Sequence, residues 1–438
     1  MSAWPAALPG AAAPPADALP RLLGDARRDG KPVPLEDHLR QHGSLPLRPR
    51  RGAAAELIEL AEASGLQGRG GAGFPTARKL RAVAGRRRPV VLANGAEGEP
   101  ISAKDKVLLA HVPHLVLDGA VLAAAAVGAD EVMIAVGAGA DRAFAAVRGA
   151  IRERDRRRLD RVSIRLVAVP HDFVAGEETA LVNWLNGGPP KPTFTPPRPF
   201  ERGLGGRPTL VQNVETFAHL ALVGRYGARW FRALGDPAQP GTALVTLRGA
   251  VRRPGVYEIP LGLPLRELVD WAGGPAEPVQ AFLIGGYFGT WISADEAESV
   301  ALLDADLARL GGSLGARAIF ALPEAACGIA ETARVSRYLA DESAGQCGPC
   351  VHGLDAIARA LEQLAWGGRG RRKEDPRLTR WLEQVTGRGA CRHPDGATRL
   401  VSSGLRVFAE EAARHAAGSC TGARRPQLPV RAPRVDGQ

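Results

Sequence analysis

Four short stretches of this sequence have residue types and spacings that could carry chemistry. Cys347-Gly348-Pro349-Cys350 is followed by a distant third cysteine, Cys391. A C-x-x-C pair with a remote third thiol points to metal or redox chemistry, because thiolates are the nucleophilic and metal-ligating form of cysteine. Iron–sulfur clusters take four cysteines, and here three are well placed; Cys327 and Cys420 lie elsewhere and read as ordinary buried thiols. The second stretch, residues 65–76, holds Gly68, Arg69, Gly70, Gly71, Gly73 and Phe74, with Lys79 beyond it. Its glycines let a backbone approach a phosphate or a ring, Arg69 and Lys79 supply positive charge, and a helix starting near Thr76 offers free N–H groups. No clear strand precedes it, so it departs from the usual dinucleotide fingerprint and a flexible loop stays an alternative. The third, Asn94-Gly95-Ala96-Glu97-Gly98-Glu99-Pro100, follows an apolar run, where α/β folds place ligands. The fourth runs from Phe173 to Leu181 and contains Glu177 and Glu178, which either face a ligand or complement a helix dipole.

The elements that must position these residues are legible in outline. Residues 88–93, 131–136 and 164–169 are short apolar runs suited to buried strands. An Ala/Leu-rich helical stretch separates the first two and an amphipathic charged one the last two, the pattern of an α/β layer fold. After Gly235-Asp236-Pro237 the composition shifts to short strands at 244–247 and 256–259, a turn at 253–255 and a helix over 265–271. From about 325 the text turns helical. Leu354, Ile357, Leu361 and Leu364 form one apolar stripe, and Val401, Leu405 and Phe408 another. The expected organisation is a mostly irregular tail with at most one short helix over 1–50, an α/β domain over 51–236, a β-rich module over 240–322, a helical bundle over 325–420 and a disordered tail over 421–438.

Composition excludes several function classes. The net charge of +11 comes from 51 arginines and 6 lysines interspersed with acids, as in residues 152–161, which read as a solvated helix face rather than a nucleic-acid patch. Five cysteines in 438 residues make no disulfide scaffold. The opening residues lack the basic start of a signal peptide. The most apolar window, 115–129, is broken by Asp118 and followed by Asp130, short of the ~20 residues a membrane span requires. A protein of the cytoplasm is expected.

Order and spacing of the motifs together resemble the family of the flavin- and NADH-binding subunit of respiratory complex I, with relatives in hydrogenases and formate dehydrogenases. The family's GLxGRGGAGFPT, NADEGEP, YICGEETAL, GLxGxPTxxNNVET and ESCGxCxPC segments appear at 65–76, 94–100, 173–181, 203–216 and 342–350. The resemblance implies a Rossmann-like flavin/nucleotide domain, a small ubiquitin-like β-grasp (SLBB) module and a C-terminal helical bundle holding one 4Fe–4S cluster. It implies hydride transfer from NADH to FMN, then electron passage to an iron–sulfur centre and a protein acceptor. That acceptor would be a ferredoxin or a thioredoxin-like 2Fe–2S subunit within a larger redox complex, held through partners at the inner face of a membrane. By resemblance Gly68, Arg69, Gly70, Gly71, Gly73 and Phe74 face nucleotide and flavin. Lys79 and Asn94 meet the FMN phosphate or ribityl chain, and Phe173, Asn213 and Thr216 the flavin. Glu97, Glu99, Glu177 and Glu178 line the nicotinamide pocket, with Glu97 and Glu178 as the catalytic candidates. Cys347, Cys350 and Cys391 are the cluster ligands.

The chain departs from the family at several of these positions. Ala344 replaces the first cluster cysteine, so a 3Fe–4S cluster, a non-cysteine ligand such as His393, Cys420, or no cluster at all are the alternatives. Ala96 replaces an aspartate, Phe173-Val174-Ala175 replaces YIC, and Gln212 an asparagine. Arg198 stands where an aromatic is usual, with Phe200 as a substitute; an arginine there suits the extra phosphate of NADPH. A non-catalytic assembly paralogue that docks through the β-rich module is the rival reading.

Overall fold

The structure is a computed structural model that describes residues 17–45, 53–367, 376–420, 422 and 425–430. The chain divides into two units. The first holds the described residues up to Gly98, with Ala103–Leu244 and Glu258–Gly262; the second holds Glu99–Ser102, Val245–Tyr257 and the residues from Leu263 onward.

The first unit is built on a parallel sheet of β1 (Val90–Gly95), β2 (Glu131–Gly137), β3 (Ser163–Val169) and β4 (Thr209–Asn213), in the order β3-β2-β1-β4. Helices Lys104–His111 and Pro113–Val127 lead from β1 to β2, Asp141–Arg156 from β2 to β3, and Glu178–Leu185 lies between β3 and β4. Val90 to Ala93 are buried, as a strand covered on both faces requires. The expected α/β layer is present. β4 is not evident in the sequence, because Leu210 and Val211 are its only neighbouring aliphatics.

Residues 17–45 carry the helix Leu35–His42 and bury Leu22, Val33 and Leu35. The tie is ionic. Asp118, 2% exposed, accepts hydrogen bonds from Arg154 at 2.7 Å and Arg225 at 2.5 Å, and pairs with His38 Nε2 at 2.6 Å. Arg154 also holds Asp160 with two bonds of 2.7 Å. One carboxylate thus joins the helices Leu35–His42, Pro113–Val127, Asp141–Arg156 and Val214–Arg232. The arginine run at 152–161 is therefore not wholly solvated. Burial opposes ionisation of Asp118, but Arg225, His38 and Arg154 outweigh it and hold its carboxyl well below the usual range. Among the described residues no single helix is long and apolar enough to cross a membrane; the bent pair Lys104–His111 and Pro113–Val127 passes by length and composition, and 14 residues of the longer helix are buried in the unit.

A second sheet, most of whose residues belong to the second unit, is formed by β5 (Thr242–Gly249), β6 (Gly255–Pro260), β7 (Val279–Ile284), β8 (Thr290–Ser293) and β9 (Ala318–Pro323) in the order β6-β5-β9-β7-β8. Its first and last strands run parallel at the centre, β7 is antiparallel to both neighbours, and helix Leu265–Trp271 follows β6. This is the expected β-grasp arrangement. The helices Gly328–Asp341, Leu354–Trp366, Leu378–Val385, His393–Val407 and Ala409–Ala416 follow. Leu354, Ile357, Leu361 and Leu364 are buried along their stripe, as are Val401 and Phe408. Of the expected disordered tail, residues 425–430 are docked: the Gln427 and Leu428 N–H groups donate to Glu331, and the Tyr287 hydroxyl donates to the Pro429 carbonyl at 2.6 Å. Residues 1–16, 421, 423, 424 and 431–438 lie outside the described residues.

Removing one partner of a buried ion cluster leaves the others uncompensated. Asp118→Asn is expected to cost about 3–5 kcal/mol at neutral pH, read from urea or thermal unfolding. A depressed carboxyl contributes its stability above an unfolded pKa of about 4 and loses it as pH falls through the folded value. The gap between wild type and variant therefore closes in strong acid.

Candidate functional site

The connections of the parallel sheet change direction between β1 and β4, the crevice at which open α/β sheets bind ligands beyond the carboxyl ends of their strands. Asn94 and Asn213 are register partners at that end. The Asn94 amide donates to the Gly176 carbonyl at 2.8 Å, and its oxygen accepts the Ala96 N–H at 3.1 Å. The stretch 96–98 is thereby pressed against 172–176; a Cβ at Gly98 would lie 2.8 Å from the Asp172 carbonyl and 2.9 Å from that of Phe173. Asn213 caps the helix Val214–Arg232 by accepting the Glu215 N–H, and its amide donates to Asp105 at 2.7 Å.

The glycine loop closes on itself over this edge. Gly68 N–H donates to the Phe74 carbonyl at 2.9 Å, Thr76 N–H to the Leu66 carbonyl at 3.0 Å, and Arg69 N–H to Thr216 Oγ1 at 2.8 Å. Gly71 and Gly73 have φ of 114° and 60°, a region that disfavours a side chain. Gly70 and Ala72 are exposed at the tip, and Phe74 is 44% exposed. Exposed backbone held over a strand edge, with no side chain in the way, fits a phosphate or a flat ring. The Arg69 guanidinium is not part of that surface; it is buried and donates to the Pro240 carbonyl at 3.2 Å.

The acidic candidates take distinct positions. Lys79 pairs with Glu178 at 3.0 Å and donates to the Val211 carbonyl, both side chains half-buried. Glu177 accepts the N–H groups of Thr179 and Ala180 and caps the helix Glu178–Leu185. Glu97 receives the N–H groups of Asp105 and Lys106, each at 3.3 Å, at the start of Lys104–His111. Glu99 belongs to the second unit and accepts the N–H groups of Tyr287 and Ile101. Phe173 opens the short turn Phe173–Gly176. Of the departures, Gln212 donates to Thr76 Oγ1 at 3.2 Å and Arg198 is exposed, its N–H donating to Glu201.

Three residues that no sequence pattern singles out complete this edge. Lys104 donates to Asp105 at 2.8 Å and Glu215 at 2.9 Å, all three buried. Burial, helped by Glu97 and Glu215 and opposed by Lys104, pushes the Asp105 carboxyl up to about 6. Glu215 lies inside the matched 203–216 segment; Lys104 and Asp105 look like the solvated start of a helix. A cleft of about 360 Å³ is also unforeseen: it is lined by Thr179, Asn183, Phe194 and Arg202 among others, and Phe194, 84% exposed, is the aromatic there rather than Phe200.

In the second unit Cys347 and Cys350 lie with their sulfurs 3.7 Å apart. Burial, with Cys347 and then Cys391 nearby, pushes the Cys350 thiol up to about 12; burial works the same way on Cys347, but hydrogen bonds from the Ala390 and Cys350 backbone bring it below its ordinary value. Cys347 and Cys350 are thus neighbours, and Cys391 is near enough to Cys350 to act on its thiol electrostatically. The fourth ligand position does not fit: Ala344 is buried, and a methyl group cannot ligate iron. His393 is buried, with its Nε2 2.6 Å from the Leu339 carbonyl oxygen and its ring edge-on to Phe288. Cys420 lies with Cys327 and His415 instead.

The raised Asp105 carboxyl gives a pH test. A group raised on folding favours the folded state below its unfolded pKa of about 4 and loses that contribution as pH rises through about 6. Between those limits wild type should lose stability relative to Asp105→Asn in denaturant titrations run at each pH. Parallel pH profiles would show that Asp105 does not hold this proton.

Comparison with known proteins agrees with this architecture. Residues 61–222 match the family model described as the Nuo51 FMN-binding domain, 244–286 the SLBB domain, and 330–415 the NADH-ubiquinone oxidoreductase-F iron-sulfur binding region. The second of the NADH-quinone oxidoreductase F subunits of Rhizobium meliloti (strain 1021) is 32% identical over 374 residues, 82% of this chain and 88% of that protein. The NADH-quinone oxidoreductase F subunit of Mycobacterium tuberculosis (strain ATCC 25618 / H37Rv) is 33% identical over 379 residues, 83% of this chain and 85% of its own. Among solved structures, the NAD+-reducing NiFe hydrogenase in its H2-reduced state aligns with a TM-score of 0.77 and 30% identity, covering 88% of this chain and 67% of the hydrogenase chain. A parallel sheet with a glycine loop at its switch point, a β-grasp module and a thiol-bearing helical region thus coincide with three matched regions in order, and the chain belongs to the family of NADH-quinone oxidoreductase F subunits.

Proposed function

We propose that this chain is an FMN-dependent NAD(P)H oxidoreductase that passes electrons to an iron–sulfur centre and a protein acceptor. The observation that carries the reading is the convergence of the glycine loop, Asn94 and Asn213 on one strand edge, with Thr216 holding the loop to the helix N-terminus. FMN, when bound, supplies the conversion of a two-electron hydride into single electrons. Gly68 to Gly73 present backbone to it, with Phe74 as an apolar surface. Lys79 offers a cation whose charge Glu178 balances until a phosphate competes for it. Asn213 and Asn94 fix the floor of the pocket, each anchored to backbone or to Asp105.

Asp105 and Glu215 hold the buried Lys104 ammonium, and Glu97 lies beside Asp105 with the half-buried Lys106 3.7 Å from it. Three acids against two lysines leave a net negative cluster, which favours a nicotinamide ring that has become cationic by losing hydride over the neutral reduced ring. Glu177 and Glu178 open the helix whose Thr179 lines the cleft, and Phe194 offers a face for stacking a base. The acceptor we infer is a ferredoxin or a thioredoxin-like 2Fe–2S subunit in a larger redox complex; the naming of the relatives as subunits supports the complex. The buried Ala344 favours a second reading, a scaffold that has lost its cluster.

Binding of FMN to the purified chain tests the first reading. Loss of a charge-assisted contact to phosphate costs about 1.5–3 kcal/mol, so Lys79→Met should raise the FMN Kd about 10–100-fold by fluorescence quenching. Its thermal midpoint should barely move, since a half-exposed ion pair contributes about 1 kcal/mol or less. An unchanged Kd would remove Lys79 from the site, and wild type without FMN affinity would leave the scaffold.

A further inference from the structure

Cys327, His415 and Cys420 come together in the second unit, with one ligand atom from each within 4.8 Å of the others. Cys327 and His415 are fully buried. Cys327 caps the helix Gly328–Asp341, and its sulfur lies 3.2 Å from His415 Nε2. The other ring nitrogen, His415 Nδ1, is 3.2 Å from the Leu364 carbonyl oxygen, which selects the tautomer with the proton on Nδ1 and a lone pair on Nε2 toward Cys327. Buried Glu411 places Oε1 2.6 Å from the Cys327 sulfur and 3.8 Å from His415 Nε2, and its carboxylate also accepts the Gly328 and Ile329 N–H groups.

We propose that Cys327, His415 and Cys420, with Glu411 as fourth donor, form a structural zinc site separate from the Cys347, Cys350 and Cys391 thiols. Two sulfurs, an imidazole and a carboxylate are the donor types of tetrahedral zinc. Zn–S bonds of ~2.3 Å and Zn–N bonds of ~2.0 Å at a tetrahedral angle set sulfur and nitrogen ~3.5 Å apart, close to the observed 3.2 Å. A carbonyl that orients the far ring nitrogen, as Leu364 does for His415, is the usual companion of a zinc-bound imidazole. Zn2+ binding releases both thiol protons to solvent, and Glu411 exchanges its contact with the Cys327 sulfur for one to the metal. The ion would staple the segment after β9 to the end of the bundle, joining residues more than eighty positions apart.

The test uses the full chain with Cys347, Cys350 and Cys391 all changed to Ser, so that only this cluster offers thiolates. That protein should retain one zinc ion per chain by elemental analysis. After chelator treatment, Co2+ should produce the visible bands of tetrahedral thiolate coordination. Cys420→Ser on the same background alters a half-exposed thiol at the bundle end; it should keep the helical circular dichroism yet weaken Co2+ binding at least about tenfold. In wild type, zinc removal should lower Tm and Zn2+ addition restore it, a readout independent of any variant's folding. Absence of zinc and of Co2+ bands in the triple variant, or full Co2+ affinity in Cys420→Ser, would overturn the site.

Discussion

The seam between β1 and β4 is the constraint on which the candidate site depends. A parallel sheet must reverse the direction of its connections somewhere, and at that point the loops from two strand ends part and leave a crevice. Here the register sets Asn94 opposite Asn213. The turn after β1 and the loop over the strand edge both hang on those two residues. Asn94 fixes the turn that carries Glu97, Asn213 starts the helix that offers Thr216, and Thr216 ties down the glycine loop. A one-residue slip of β4 would move each of these groups by ~3.3 Å and turn its side chain to the other face.

Around this seam the protein concentrates groups that are expensive to bury. Lys104, Asp105 and Glu215 are buried together, and Asp118 gathers two arginines and a histidine farther down the same helices. The two clusters differ in balance. At Asp118 the cations dominate and the carboxylate stays ionised; at Asp105 burial, helped by Glu97 and Glu215, outweighs Lys104 and a proton is retained to higher pH. The first arrangement joins helices, including the one near the N-terminus. The second sets acidic groups at the strand edge, where the proposed nicotinamide site would gain from negative charge.

Much of the fold is legible in the sequence because its buried strands are short aliphatic runs. Val90 to Ala93 and Glu131 to Val136 need no partner to be read as strands. β4 is hidden since it ends in Gln212 and Asn213, polar residues whose strand conformation comes from pairing with β1. The anchoring of helix Leu35–His42 and the role of Arg154 are hidden for a related reason: their partner, Asp118, lies 80 and 36 positions away, and no local pattern announces an ion cluster of that span. At the candidate site the motif segments mark the strand ends and the loop. Lys104 and Asp105 look like any charged helix start, and only their burial sets them apart. The Cys327, His415 and Cys420 group is invisible for the same geometric reason, although the loss of a fourth thiol at Ala344 is plain in the sequence.

The proposed function requires a flavin at the β1–β4 edge that NAD(P)H can reduce. An anaerobic titration of the FMN-loaded protein with NADH, and then with NADPH, followed through the flavin absorbance, addresses it directly. Stoichiometric bleaching of the flavin by either nucleotide is the predicted result, with bleaching of a broad iron–sulfur shoulder afterwards if the three thiols hold a cluster. A bound flavin that neither nucleotide reduces would contradict it.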